Sequence, residues 1–178
     1  MLLLEHFSFM TPDQFPVTGL AVINDPVACQ FLNPVIPQIE WEQHWDDTRQ
    51  PKDDTNLRRA LEQTRKYIFD FHLSKHFIVC ELEKMEFHEG IDVGSFKWHN
   101  DGNEGHNATV VLHFTDMSKH TGGALSVQNT STNDVVQYYP LYGDITIFSQ
   151  KPNFNHRVEP MLLNVYRIGA FFDCILRP

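Results

Sequence analysis

The sequence predicts a mainly β chain with N-terminal helices, folded as one domain. Three observations carry this. The second half is a run of short apolar segments divided by Gly, Pro and Asn. The first half holds one segment with a clear 3.6-residue apolar period. The length, 178 residues, suits a single domain whose core needs no disulfide or structural metal. Residues 1–76 are expected to form a helical and loop support, and residues 77–178 the β core.

Each element has its own signal. Asn24-Asp25 before Pro26 starts a helix, and Pro34 and Pro37 limit its length. Trp41 to Asp54 is polar and reads as a loop, long enough to act as a lid. Asp54 or Thr55 caps the clearest helix. Its apolar stripe is Leu57, Leu61, Thr64, Ile68 and Phe71, with Arg58, Arg59, Arg65 and Lys66 on a solvated face. Phe77–Phe87 then reads as a strand whose alternation slips near Lys84, the mark of a bulge. Further strands are expected at Ser95–Trp98, Ala108–Phe114, Ala124–Gln128, Val135–Tyr139, Asp144–Phe148, Asn155–Val158 and Tyr166–Asp173. Gly102, Gly122-Gly123, Gly143 and Pro152-Asn153 punctuate them. Many short strands with such turns make a barrel or a double-sheet jelly roll.

Composition excludes several function classes. Hydrophobic residues at 42% and charged residues at 21% are those of a globular protein, not a disordered or fibrous one. Fourteen Lys and Arg against 23 Asp and Glu give a net charge of −9. That opposes non-specific nucleic-acid binding, although a local basic groove remains open. Cys29, Cys80 and Cys174 are odd in number and form no CxxC pair, so buried thiols in a reducing compartment are expected. Met1-Leu2-Leu3-Leu4 stops at Glu5, without the flanks of a signal peptide. No run approaches the roughly 20 apolar residues that span a bilayer. A soluble cytoplasmic protein without a membrane partner is the expectation.

Among ten histidines one pair stands out, His99-Asn100-Asp101. At a strand end, residues two apart share a face, so an imidazole and a carboxylate there can grip one cation. A second element is Asn155-His156-Arg157-Val158-Glu159-Pro160. A third is Arg167, on the face of an apolar strand shared by Gly169 and Phe171. A guanidinium in so apolar a strand calls for an anionic partner. It either reaches solvent from the strand end or binds a carboxylate supplied by a small molecule.

Together these positions resemble the iron(II)- and 2-oxoglutarate-dependent oxygenases, in particular the prolyl-4-hydroxylase-like branch. The likeness runs from about Met85 to Asp173. It is carried by Phe96-Lys97-Trp98-His99-Asn100-Asp101, Thr109-Val110-Val111-Leu112-His113-Phe114, Thr121-Gly122-Gly123-Ala124-Leu125, Gly143-Asp144-Ile145-Thr146-Ile147-Phe148, Asn155-His156-Arg157-Val158 and Arg167. The distal His follows the first by 57 residues, and the basic residue follows it by 11. The resemblance implies a double-stranded β-helix, the cupin-like jelly roll. It implies that His99, Asp101 and His156 ligate Fe(II), leaving three positions for 2-oxoglutarate and O2. Arg167 then holds the distal carboxylate of 2-oxoglutarate and completes the catalytic set.

Other roles follow from the same resemblance. His113 stands where many relatives place a Tyr that bonds this carboxylate; packing in the barrel wall is its other reading. Thr109 lines the pocket or is an ordinary β-former. Phe87 is the aromatic nearest to another family Tyr, so a phenol contact is lost or comes from elsewhere. Trp98, Arg157 and Asn103 are candidate substrate contacts. A carboxylate at Asp101 favours hydroxylation over halogenation, which needs that position vacated. The implied reaction is hydroxylation of a C–H bond in a prolyl or other peptidyl residue, with release of succinate and CO2. A free amino acid or small metabolite is the alternative substrate. Two rivals are a cupin-like metal or ligand binder without turnover and a non-enzymatic interaction protein. Arg167 discriminates against the first, and iron(II) titration against the second.

Overall fold

A computed structural model describes residues 15–45, 48–89, 97–101 and 105–176. Among them ten strands form two antiparallel sheets. The strands are β1 Leu20–Asn24, β2 Trp41–Trp45, β3 Thr48–Pro51, β4 Phe77–Glu89, β5 Ala108–His113, β6 Leu125–Asn129, β7 Val135–Tyr138, β8 Asp144–Ser149, β9 Phe154–Val158 and β10 Tyr166–Leu176. The large sheet runs β1-β8-β5-β10-β4-β3-β2 and the small one β7-β6-β9. The result is the expected jelly roll, a double-stranded β-helix.

Register decides what each face does. Paired residues of antiparallel strands share a face. Val111 pairs with both Thr146 of β8 and Phe171 of β10, while Val110 pairs with Ile147 and Phe172. Val110, Leu112, Ile145, Ile147, Ala170 and Phe172 therefore face outward, where they pack with Leu57, Leu61 and Ile68 of helix α2 (Thr55–Ile68). Leu20, Val22, Val111 and Phe148 face inward against Leu125, Val127 and Phe154 of the small sheet. β5 and β8 are buried on both faces, which is why they read as near-continuous apolar runs. Each fully buried Val, Leu, Ile or Phe contributes about 1.5–3 kcal/mol, so these two layers hold the sheets together.

Helix α2 starts as its sequence predicts. The Asp54 carboxylate accepts from the backbone N–H groups of Asn56 at 2.5 Å and Leu57 at 3.2 Å. Asp54→Ala should cost about 1 kcal/mol and lower the melting temperature by about 2–4 °C for a chain of this size. Thermal unfolding followed by circular dichroism measures it; an unchanged midpoint would show the cap to be dispensable.

The helix end differs from expectation. Leu57, Leu61, Thr64 and Ile68 are buried, but the chain then widens into a π-turn over Phe69–Leu73. The wider turn delays the next inward position, so Leu73 is buried and Phe71 is 71% exposed. Arg65 is also not simply solvated, since its Nη1 donates to the Cys80 carbonyl at 2.7 Å.

Most expected strands of the β core end within about a residue of their observed limits. The exceptions are β4, which runs on to Glu89, and β10, which runs on to Leu176. The slip near Lys84 is real: the partners of Phe171 and Phe172 are Lys84 and Leu82, leaving Glu83 as the extra residue. Asn24-Asp25-Pro26 opens a short 3-10 helix, Pro26–Phe31, with the Asp25 carboxylate accepting from Val27 N–H at 3.0 Å. Two readings are corrected. Trp41–Asp54 is not a loop: it holds the β2–β3 hairpin, and β3 pairs with β4 through Thr48–His88 and Arg49–Phe87. β1, with no counterpart in the sequence reading, pairs with β8 at the other edge. Of the expected strand Ser95–Trp98, Ser95 and Phe96 lie outside the described residues, as do Met1–Leu4; Lys97 and Trp98 join no ladder. All three cysteines are buried and free. No helix among the described residues is long and apolar enough to cross a membrane.

Candidate active site

His156 owes its position to β9. Strand alternation turns Phe154 and His156 inward, and His156 pairs with Val127 and stacks 4.5 Å from the Phe148 ring. The segment carrying His99 docks on β9 by one two-way backbone rung: His99 N–H donates to His156 O at 3.1 Å, and His156 N–H to His99 O at 2.8 Å. Paired residues share a face, so the two rings meet with centroids 4.3 Å apart. His99 Nδ1 lies 2.7 Å from the Lys97 carbonyl. A carbonyl only accepts, so Nδ1 carries the proton and Nε2 presents its lone pair.

Asp101 sits between the two imidazoles. Its Oδ1 is 3.5 Å from His99 Nε2 and its Oδ2 is 3.4 Å from His156 Nε2. Among the described residues these three form the one cluster whose donor atoms fit a single ion, all within 4.8 Å of one another. Ligands about 2.1 Å from an ion in adjacent octahedral positions lie about 3 Å apart, so the set would draw in around an ion. Burial, helped by the Arg167 charge, pulls the His156 imidazole down to about 4 despite the nearby Asp101 carboxylate. It is neutral near pH 7, the form that ligates a metal.

Arg167 is 2% exposed, which rules out the reading of a strand-end arginine reaching solvent. On β10 it shares the inward face of Gly169, whose partner on β5 is His113. His113 is fully buried, with Nε2 2.9 Å from Thr146 Oγ1. Burial first, and then the Arg167 charge, hold this imidazole well below its usual value. The guanidinium thus acts electrostatically on both His113 and His156. Cation, neutral imidazole and metal-type cluster lie on one side of the large sheet, facing the small sheet.

Comparison with known proteins agrees with this geometry. Residues 85–172, about half of the chain, match the sequence profile of the 2OG-Fe(II) oxygenase superfamily. The chain belongs to this superfamily. No curated protein sequence matches it. Its fold is similar to a Trichoplax adhaerens prolyl hydroxylase solved with a peptide of the hypoxia inducible factor oxygen degradation domain (TM-score 0.64, 16% identity, 93% of this chain and 87% of that chain). It is also similar to a 2OG-Fe(II) oxygenase family oxidoreductase from Burkholderia pseudomallei (TM-score 0.69, 13% identity, 92% and 87%). A third is HygX from Streptomyces hygroscopicus, solved with nickel and 2-oxoglutarate (TM-score 0.63, 11% identity, 93% and 87%). At such identities the likeness is one of fold. The protein is a 2-oxoglutarate-dependent dioxygenase, and its cofactors are Fe(II), 2-oxoglutarate and O2.

The remaining site candidates of this oxygenase fall in three groups. Trp98 and Arg157 neighbour the cluster in sequence, but on β9 alternation sends Arg157 to the opposite face from His156, and Trp98 meets it there. There the Arg157 guanidinium stacks 4.5 Å over Trp98, and its Nε donates to Glu159 Oε1 at 3.0 Å. They fasten the back of the rung. The Thr109 hydroxyl is engaged within the wall: it donates to Asp173 Oδ1 at 3.2 Å and accepts from Gln150 Nε2 at 3.0 Å. Asn103 and the Phe87 side chain lie outside the described residues; the Phe87 backbone pairs with Ile168.

One residue of the oxygenase site escaped sequence reasoning. Gln150, just beyond β8, donates from Nε2 to Asp101 Oδ2 at 2.7 Å and accepts the Asp101 backbone N–H on Oε1 at 3.2 Å. Its only signal is a polar residue closing an apolar strand. Gly122 and Gly123 are scaffold, as expected: both have positive φ (78° and 76°), and a Cβ on Gly122 would sit 2.0 Å from the Pro160 carbonyl.

Proposed function

We propose that the oxygenase holds Fe(II) with His99, Asp101 and His156, receives the distal carboxylate of 2-oxoglutarate on Arg167, and hydroxylates a C–H bond of a prolyl or other peptidyl residue. The observation that carries this is Asp101, flanked at 3.5 and 3.4 Å by two imidazole nitrogens on the side where Arg167 is buried. When bound, iron supplies the activation of O2 that couples decarboxylation of 2-oxoglutarate to succinate and CO2 with insertion of one oxygen atom into the substrate. The chain's own residues do the rest. His99 and His156 present neutral nitrogens, and Asp101 supplies the one negative charge against the ion. Arg167 offers a planar fork to two carboxylate oxygens in a site shielded from water, where a charge-assisted pair is strong. His113 Nδ1 is buried and makes no hydrogen bond among the described residues. In the tautomer whose Nε2 accepts from the Thr146 hydroxyl, Nδ1 carries the proton and offers the cosubstrate carboxylate a second donor.

A carboxylate at Asp101 supports hydroxylation, and the fold likeness to a prolyl hydroxylase solved with a peptide supports a peptidyl substrate. Anaerobic addition of Fe(II) and 2-oxoglutarate should produce a visible charge-transfer band. Aerobic incubation with proline-containing peptides should then yield a 16 Da gain together with succinate. Absence of the band rejects the site. A band with oxidation confined to free amino acids or small metabolites rejects the peptidyl substrate.

A further inference from the structure

We propose that Gln150 is a positioning residue for the metal-binding carboxylate, and that Thr109 and Asp173 set the direction of its amide. This rests on the reading of Asp101 as an iron ligand. Asp101 needs such help, because its side chain is 40% exposed: the backbone rung and the Asn100 amide, which donates to Phe154 O at 2.7 Å and Lys151 O at 3.0 Å, fix the segment but not the carboxylate. An exposed carboxylate has several rotamers of similar energy, and only some point toward the two imidazoles.

The hydrogen-bond chain behind it has one consistent polarity. The Asp173 carboxylate can only accept, so the Thr109 hydroxyl donates to it at 3.2 Å. That leaves the Thr109 oxygen as an acceptor, which selects the NH2 end of the Gln150 amide at 3.0 Å. The same NH2 group then donates its other hydrogen to Asp101 Oδ2 at 2.7 Å, a bond strengthened by the carboxylate charge. Gln150 Oε1 faces the Asp101 backbone N–H at 3.2 Å and secures main chain and side chain together. Gln150, Thr109 and Asp173 are all buried, so the chain is rigid and reads from the large sheet outward to the cluster. Had the amide been reversed, Oε1 would face Oδ2 and repel it. Thr109 and Asp173 exclude that arrangement.

The test is metal binding without turnover. Mn(II) titration followed by electron paramagnetic resonance should give Gln150→Leu a dissociation constant about 10–100-fold above the parent's, the usual effect of removing an outer partner of a ligand. The visible ligand-field bands of the Co(II)-loaded variant should shift, while the metal-free protein keeps its melting temperature. Thr109→Val leaves both Gln150–Asp101 bonds possible and removes the one anchor that holds the amide from the large-sheet side, so a tether independent of that anchor would not respond to it. It should weaken Mn(II) about twofold or more. Mn(II) affinity and Co(II) bands unchanged in Gln150→Leu overturn the inference; where that variant does not fold, unchanged Mn(II) affinity in Thr109→Val does so. A parent that binds no Mn(II) overturns the metal-site reading itself, and the inference with it.

Discussion

Asp101→Ala should abolish succinate formation and weaken divalent metal binding by more than about 100-fold, since loss of an outer partner alone costs about 10–100-fold. The reason is charge as much as geometry. An imidazole that ligates a metal does so as a neutral donor, so Asp101 is the one anion of the cluster, and the buried Arg167 cation acts on the same site. Without the carboxylate, a 2+ ion would face two neutral nitrogens and an uncompensated positive charge. Folding should be little affected, because the side chain is part-exposed. Mn(II) titration together with a melting curve of the metal-free variant separates the two effects. Retained affinity would remove Asp101 from the ligand set.

Arg167→Ala should raise the dissociation constant of 2-oxoglutarate by roughly 30-fold or more, because truncating one partner of a buried, hydrogen-bonded charge pair costs about 2–5 kcal/mol. Metal affinity should move the other way or not at all, since a cation that disfavours charge near His156 is gone. Arg167→Lys keeps the charge and loses the fork, so it should fall between parent and alanine variant. Calorimetry of 2-oxoglutarate binding to the Mn(II)-loaded protein without oxygen measures all three. Equal affinity in parent and alanine variant would assign the carboxylate to another residue.

The parts of the site that were legible in the sequence are those whose chemistry forces a spacing. His99 and Asp101 two apart, a distant His156 and a cation on an apolar strand form an ordered pattern that few other functions need. Gln150 has no such pattern: an amide after a strand is ordinary, and only the fold brings it to Asp101, 49 residues away in sequence. Trp98 and Arg157 show the converse: both neighbour a ligand in sequence, yet Arg157, beside His156 on β9, alternates to the other face and stacks on Trp98 there. In the fold, β5 and β8 were legible because both faces are buried. The β2–β3 hairpin was not, since Glu42-Gln43 and Arg49-Gln50 give an edge hairpin little apolar alternation. β1 is a short apolar run just before a Pro-initiated turn, and its partner β8 lies more than a hundred residues on. Phe71 was misplaced because periodicity assumes an unbroken helix, and the π-turn resets the phase.

The rung between His99 and His156 and the grip of Gln150 on Asp101 come from different sheets: β9 belongs to the small one, while Gln150 extends β8 of the large one. An ion seated among the three side chains therefore works as a clasp across the mouth of the roll. Any ligand that prefers the folded chain shifts the unfolding equilibrium by a factor of one plus the ratio of free ligand concentration to Kd. Iron scarcity would thus shorten the lifetime of this enzyme as well as silence it, and proteolysis would clear the unloaded copies first.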